Sequence, residues 1–307
     1  MTDKSKILFI DDEERILRTL KMLFRGRFDV FTTMEPEEAF ELARRERIDV
    51  IVSDQRMPKM FGAQVLARVK EISPNTMRIL LTGYSDMDAA IEAVNQGEIF
   101  RYISKPWNPE DIVATVTEAA GIARDLVETA NAAALDILPP MPNLLVIDDD
   151  PSTVALVRGI VGHEATVHHA SSPESAFEQL GRDDIGIVIT ELRVAGQDIS
   201  AAIHSLKRYK PDVLTIALTS FTDTNALIDL INHGQVYRFL PKPANRALLE
   251  RAIHATVAHH RQLVASPHLL KRHQPRRADE NESRRVPASI LGFLDKLRAQ
   301  AQARIGR

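Results

Sequence analysis

The sequence predicts an α/β protein built from two doubly wound, five-stranded parallel sheets, each a (βα)5 unit, with a C-terminal amphipathic helix after the second. The first observation behind this is an internal repeat, in which residue n resembles residue n+137 over about 120 residues. ILFIDDEE at Ile7–Glu14 is answered by LLVIDDDP at Leu144–Pro151, and AIEAVNQGEIFRYISKP at Ala90–Pro106 by LIDLINHGQVYRFLPKP at Leu227–Pro243. Between Thr82 and Pro106, 9 of 25 positions are identical to their partners, so the match is a duplication; a period this long gives each copy its own core. The second observation is that ILFI, VIVS and ILL are apolar at consecutive positions, as in parallel strands covered on both faces. The third is strict alternation of such runs with amphipathic stretches, which right-handed crossovers wind into an open sheet.

In the first unit the elements run in the order KILFID, a helix over Glu13 to Phe24, FDVFTT, a helix over Pro36 to Arg45, and IDVIVSD. A helix over Gln64 to Ile72, MRILLT, a helix over Asp86 to Gln96, FRYIS and a helix over Glu110 to Leu126 complete the five βα pairs. That last helix is expected to start near Asn108 and to extend through the alanine-rich ETANAAALDIL, because alanine favours helix, until Pro139-Pro140-Met141-Pro142 stops it. Residues 266–288 hold KRHQPRR and ESRR with almost no apolar content and read as a disordered linker. Ser289 to Ile305 then places Ile290, Leu294, Leu297 and Ala301 on one helical face beside Phe293, a helix that needs a partner. The expected boundaries are therefore 1–127, a linker over 128–142, 143–265, a second linker over 266–288, and 289–307.

Composition agrees with two ordinary cores: 307 residues, 44% hydrophobic and 26% charged. The absence of cysteine excludes disulfides, thiolate metal sites and a cysteine nucleophile, and fits a reducing compartment. The apolar run near the N-terminus is too short for a signal peptide and no stretch approaches a membrane span, so a soluble, cytoplasmic protein without membrane contact is expected. Net charge is −3, yet residues 266–307 carry ten Lys or Arg against four acids, which sets the tail apart from the acidic remainder.

In an open parallel sheet the functional crevice lies at the carboxyl ends of the strands. Asp11, Asp12, Asp54, Thr82 and Lys105 all fall there in the first unit. Clustered carboxylates repel and favour protonation unless a cation sits among them, so the set invites a hard divalent ion such as Mg2+. A carboxylate so shielded can act as nucleophile in an in-line phosphoryl transfer, with a lysine and a hydroxyl binding the new oxygens. Taken alone, an Asp-Asp pair after a strand is commonly a helix N-cap.

Asp11-Asp12, DQRMP at Asp54–Pro58, Thr82-Gly83 and Tyr102-x-x-Lys105-Pro106 resemble the receiver domain of response regulators, over about residues 4–127 and again 143–264. The resemblance implies a flavodoxin-like fold in which Asp54 accepts a phosphoryl group from a histidine kinase or phosphotransfer protein. It implies that Asp12 and Asp54 bind Mg2+ directly, with Asp11 acting through water and the Arg56 carbonyl completing the protein ligands. It further implies a cis bond from Lys105 to Pro106. Thr82, Lys105 and Tyr102 would form a switch: the hydroxyl swings to the phosphoryl group, Tyr102 rotates into the vacated space, and the face of the fourth helix, fifth strand and fifth helix changes shape.

The second unit keeps Asp148, Asp149, Thr219, Phe239, Lys242 and Pro243 but carries Glu191 at the acceptor position, within VITELRVAG. Two readings are open. Glu191 either locks an active-like state through Lys242, or the unit is an inert pseudo-receiver serving as a binding module, and the second is preferred. Ala195 replaces the proline seen at Pro58, so a relaxed crevice is expected. Metal binding there stays open, since glutamate also ligates Mg2+.

The expected function is signalling through protein–protein contact, with a kinase or phosphotransfer donor, an effector protein and a homodimer as candidate partners. The receiver's only chemistry would be its own phosphorylation and dephosphorylation. The alternatives are a transcription regulator using the basic tail on DNA, a regulator in trans of a cyclic-dinucleotide enzyme, and constitutive dimerisation through the alanine-rich or tail helix. Nucleic acid is not expected, because the tail offers one helix and no helix-turn-helix. No Gly-rich phosphate loop appears, and the adjacent histidine pairs are not spaced as ligands.

Overall fold

The computed structural model describes residues 4–83, 91–129, 139–182, 185–200, 203, 206–207, 210–220, 224–234, 236–266 and 269–270. The chain divides into two compact units, Met1–Ala134 and Leu135–Arg307. The alanine-rich stretch beyond Thr129, most of the basic linker and the tail helix expected from the sequence lie outside the described residues. At the start of that linker, contrary to the expected disorder, Leu269 and Leu270 pack against Leu214, Tyr237 and Leu263, and the Leu269 amide donates to the Ser266 carbonyl at 2.9 Å.

In the first unit the strands are β1 (Lys6–Ile10), β2 (Asp29–Thr33), β3 (Val50–Asp54), β4 (Met77–Gly83) and β5 (Arg101–Lys105). All pair in parallel in the order β2-β1-β3-β4-β5. Every residue of the central β3 is buried, whereas β2, at the edge, is mostly half-buried. This is why VIVSD reads as continuous apolar sequence and DVFTT does not. The helices α1 (Glu14–Phe24), α2 (Pro36–Arg45), α3 (Gly62–Ile72) and the long helix Pro109–Thr129 connect or follow the strands. The strand order reverses beside β1, which places the crevice between the ends of β1 and β3.

The second unit repeats the plan, with β6 (Asn143–Ile147), β7 (Val167–Ala170), β8 (Ile185–Thr190), β11 (Leu214–Thr219) and β12 (Val236–Pro241) in the order β12-β11-β8-β6-β7. Its core joins Leu144, Val146, Ile187, Ile189, Ile216 and Leu218 of the sheet to Val154 and Val157 of one helix and Ile253 and Val257 of another. The fold expected from the sequence is thus present twice.

Two departures are local. The α-helix expected over Asp86 to Gln96 ends as a π-helical turn at Ala93–Gly97, and the same turn recurs at Leu230–Gly234. In the first unit the carbonyls of Gly97 and Glu98 accept from the buried Arg78 guanidinium at 2.6 and 3.2 Å, so the widened turn supplies acceptors to a charge held inside the fold. The second departure is a short antiparallel hairpin, β9 (Arg193–Val194) with β10 (Gln197–Asp198), which closes the loop after β8. Its turn residues Ala195 and Gly196 have φ of 49° and 76°. Positive φ at both central residues matches the right-handed twist of paired strands.

Of the buried charges outside the strand-end clusters, Lys207 has a shifted pKa. Lys207 is fully buried, donating to the Pro211 carbonyl at 3.0 Å, and burial pulls its pKa down to about 7 against the opposing influence of Asp212. A depressed lysine binds its proton less tightly when folded, so the second unit carries a constant penalty below about pH 7 that is relieved as pH rises from there towards 10.5. Lys207→Met is expected to stabilise the unit at pH 6 by about 1–3 kcal/mol and to flatten that pH dependence in urea denaturation. An unchanged slope would mean that the ammonium is not the titrating group.

Candidate functional site

The sheet brings the five diagnostic side chains of the first unit to one place. Asp11 follows β1, Asp54 ends β3, Thr82 is next to last in β4, and Lys105 ends β5. Asp11 and Asp54 are buried, with 1% and 5% of their surface exposed. The Lys105 ammonium contacts both, at 3.0 Å from Asp11 Oδ2 and in a short ion pair with Asp54 Oδ1. Asp54 Oδ2 also accepts the Arg56 amide at 2.8 Å, and Asp11 Oδ1 accepts the Glu13 amide at 2.9 Å. The N-cap of α1 is Glu13, so neither Asp11 nor Asp12 serves as the cap.

Burial is the largest influence on Asp11 and raises its pKa, assisted by the charge of Asp54 and opposed by the Glu13 amide and Lys105. For Lys105, burial is again the largest single influence and favours the neutral amine. The hydrogen bonds and charges of Asp54 and Asp11 together outweigh it, and the pKa rises. Three carboxylates against one ammonium leave two negative charges, and the donors on offer are all oxygen, which suits a hard dication. Asp12 is half-buried, and its side chain makes no hydrogen bond or ion pair among the described residues, so it is free to ligate. No three acidic, histidine or cysteine side chains among the described residues are already closed around one metal position.

The hydroxyl of Thr82 lies 3.4 Å from the Gly83 carbonyl and does not reach Asp54. Tyr102 is 2% exposed, with its hydroxyl donating to the Gly83 carbonyl at 3.3 Å, so the ring already occupies a buried position. The Lys105–Pro106 bond is cis, as is Lys242–Pro243.

Sequence reasoning missed two supports of Asp54. Gly62, the first residue of α3, lies so close to β3 that an added Cβ would stand 2.1 Å from the Asp54 carbonyl oxygen. Gln55 accepts the Ala63 amide at 2.9 Å and its own amide donates to Leu81, which ties the acceptor loop to α3 and β4. A glycine eight residues after Asp54, at the start of an amphipathic run, was the available signal.

In the second unit Asp148, Glu191, Thr219 and Lys242 also converge. Lys242 pairs with Asp148 at 2.7 Å and Glu191 at 3.1 Å, and these partners raise its pKa against burial, the largest single influence. Glu191 accepts the Leu192 amide at 2.8 Å and the Thr219 hydroxyl in a short bond. Phe239 is buried, with 2% exposed. The relaxed crevice expected from Ala195 is not what forms. The β9–β10 hairpin orders the loop, and the Ala195 amide donates to Asp149 at 3.2 Å.

A duplicated doubly wound domain with an acidic cluster, a hydroxyl and a lysine at its strand ends defines the class. The chain belongs to the response regulator receiver domain family, whose model matches residues 7–117 and again 144–254. It is similar to the hydrogenase transcriptional regulatory protein HoxA of Bradyrhizobium diazoefficiens, 32% identical over 213 residues that make up 66% of this chain and 42% of the relative. HoxA of Cupriavidus necator is 38% identical over 210 residues, 66% of this chain and 43% of the relative. The match therefore spans less than half the length of these relatives. Among solved structures, the signal receiver domain of an HD domain-containing protein from Pseudomonas fluorescens Pf-5 is 32% identical, covering 42% of this chain and 95% of that one with a TM-score of 0.40.

Proposed function

We propose that the chain is a phosphorelay response regulator that accepts a phosphoryl group on Asp54 and signals by protein–protein contact. The observation that carries this reading is a buried Asp54, oriented by the Arg56 amide and Lys105, beside a second buried carboxylate and the open Asp12. The Asp54 carboxylate attacks phosphorus of a phosphohistidine, the P–N bond breaks, the imidazole leaves, and an acyl phosphate forms. Asp11, Asp12, Asp54 and the Arg56 carbonyl would hold Mg2+. When bound, the ion supplies charge neutralisation at the transferring group. Lys105 stays protonated throughout, because its pKa is raised, and is placed to pair with the added phosphoryl oxygens. Thr82 is the hydroxyl within the crevice available to them, and its movement together with Tyr102 would carry the change to the β5 face.

Residues 1–127 would then be the phosphoacceptor domain and 143–265 a second, non-accepting copy, joined by 128–142. Residues 266–288 and 289–307 would follow as linker and tail helix. The kinase or phosphotransfer donor, the effector and a homodimer remain the partners of this reading, and the cytoplasm its location. Among the described residues no helix is long and apolar enough to cross a membrane. A second reading, control of transcription, draws on the names of the HoxA relatives and on the basic tail. It requires DNA retention that weakens steeply with salt.

Intact mass after treatment with phosphoramidate tests the first reading. The wild type is expected to gain one phosphoryl group with Mg2+ and none without it. Glu191→Ala should behave as wild type and Asp54→Ala should gain none. Incorporation that survives Asp54→Ala would reject the assignment.

A further inference from the structure

The three carboxylates of the second crevice are each bonded from within their own unit. Asp148 pairs with Lys242 at 2.7 Å and accepts the Asp150 amide at 2.9 Å. Asp149 stands where the first unit has Asp12. It accepts the Ala195 amide at 3.2 Å, whereas Asp12 is unengaged among the described residues. Glu191 receives four donors: the Leu192 amide at 2.8 Å, Lys242 at 3.1 Å, the Ser220 amide at 3.4 Å and the Thr219 hydroxyl. Asp54 receives two, the Arg56 amide and Lys105. Formal charge is the same in both crevices, so charge does not distinguish them; the donors do.

The extra methylene of glutamate accounts for the difference at the hydroxyl. Glu191 reaches Thr219, while Thr82 stays with the Gly83 carbonyl. The backbone has been rebuilt to match. Ile199, 3% exposed, occupies the place of Gly62 and repeats its backbone bond, its amide donating to the Leu192 carbonyl at 3.0 Å as that of Gly62 does to Gln55. A cation in this crevice would compete with the Ala195 amide for Asp149, where Asp12 meets no such competitor, and with a hydroxyl and two amides for Glu191. A phosphoryl group would compete with the Glu191 carboxylate for Thr219 and Lys242.

We propose that the second unit takes neither a divalent cation nor a phosphoryl group, because Glu191 itself occupies the hydroxyl and the ammonium that such a group would need, holding the unit in one state. Only the first unit then receives input, and the second presents an unvarying surface. This concerns the second crevice alone and stands whether or not Asp54 is the acceptor.

Two measurements on the full chain test it. In calorimetric titration with Mg2+, wild type and Asp149→Asn should each bind one ion and Asp12→Asn none. An ion retained in Asp12→Asn and lost when Asp149→Asn is added would overturn the proposal. In methyl NMR with labelled threonine, Mg2+ and beryllofluoride should shift the Thr82 signal and leave Thr219 unmoved. Glu191→Ala, or Glu191→Gln where the first does not fold, should shift Thr219 without any ligand. A wild-type Thr219 signal that moves with beryllofluoride would overturn the proposal, as would one indifferent to both Glu191 variants. Loss of the Thr82 response alone would count against the Asp54 reading and leave the second unit's assignment intact.

Discussion

Lys105→Ala is expected to destabilise the first unit by about 3–5 kcal/mol near neutral pH, because it leaves two buried carboxylates without their shared cation. The ammonium touches Asp11 and Asp54 at once, and both are almost fully buried. The pH dependence follows from two raised pKa values. The wild-type contribution of Lys105 is fully present below its ordinary value of 10.5 and is lost only as pH rises through the higher folded value. Asp11 binds its proton more tightly in the folded state, so its contribution is present below 3.8 and is lost as pH rises through its folded pKa. The deficit in Lys105→Ala should therefore shrink as acid protonates Asp11, and Mg2+ should restore part of it at pH 7. Urea denaturation of both proteins at pH 5 and 7, with and without Mg2+, measures this. A loss below about 1 kcal/mol at pH 7 would show that solvent screens the pair as it does an exposed one.

Gly62→Ala should cost about 2–3 kcal/mol through overpacking and lower the rate of Asp54 phosphorylation by tenfold or more. The first effect arises because the new methyl group meets the Asp54 carbonyl oxygen at 2.1 Å and Ser53 Oγ at 2.9 Å, and main chain on that side cannot yield as a flexible side chain does. The second arises because the residue displaced is the proposed nucleophile, whose oxygen is set by backbone bonds within two residues. Denaturation together with a single-turnover phosphorylation rate separates the two. A variant that loses stability but keeps its rate would assign Gly62 to packing alone.

The duplication was legible because it preserves strand-end chemistry at a fixed offset of 137 residues, and apolar runs such as VIVS report burial on both faces directly. The acidic cluster was legible for the same reason, since strand ends converge in a doubly wound sheet wherever the intervening helices lie. Contacts across the fold were not. Nothing in RVAGQD announces a hairpin whose turn includes an alanine at positive φ, and AVNQG has ordinary helical composition although its last carbonyl serves Arg78. Lys207 looked like any helical lysine. Its counterpart Lys70 pairs with Glu98 at 2.7 Å, whereas the residue matching Glu98 in the second copy is the uncharged Gln235; burial is the largest influence on Lys207, opposed by Asp212.

The exchange of Gly62 for Ile199 bears on the history of the two copies. Restoring an aspartate at position 191 would return the carboxylate but would leave Asp149 bonded to the Ala195 amide and a buried Ile199 where the first unit has Gly62. If Asp54 is the acceptor, the two copies differ in more than one side chain, and reversing a single residue of the second would not make it a copy of the first.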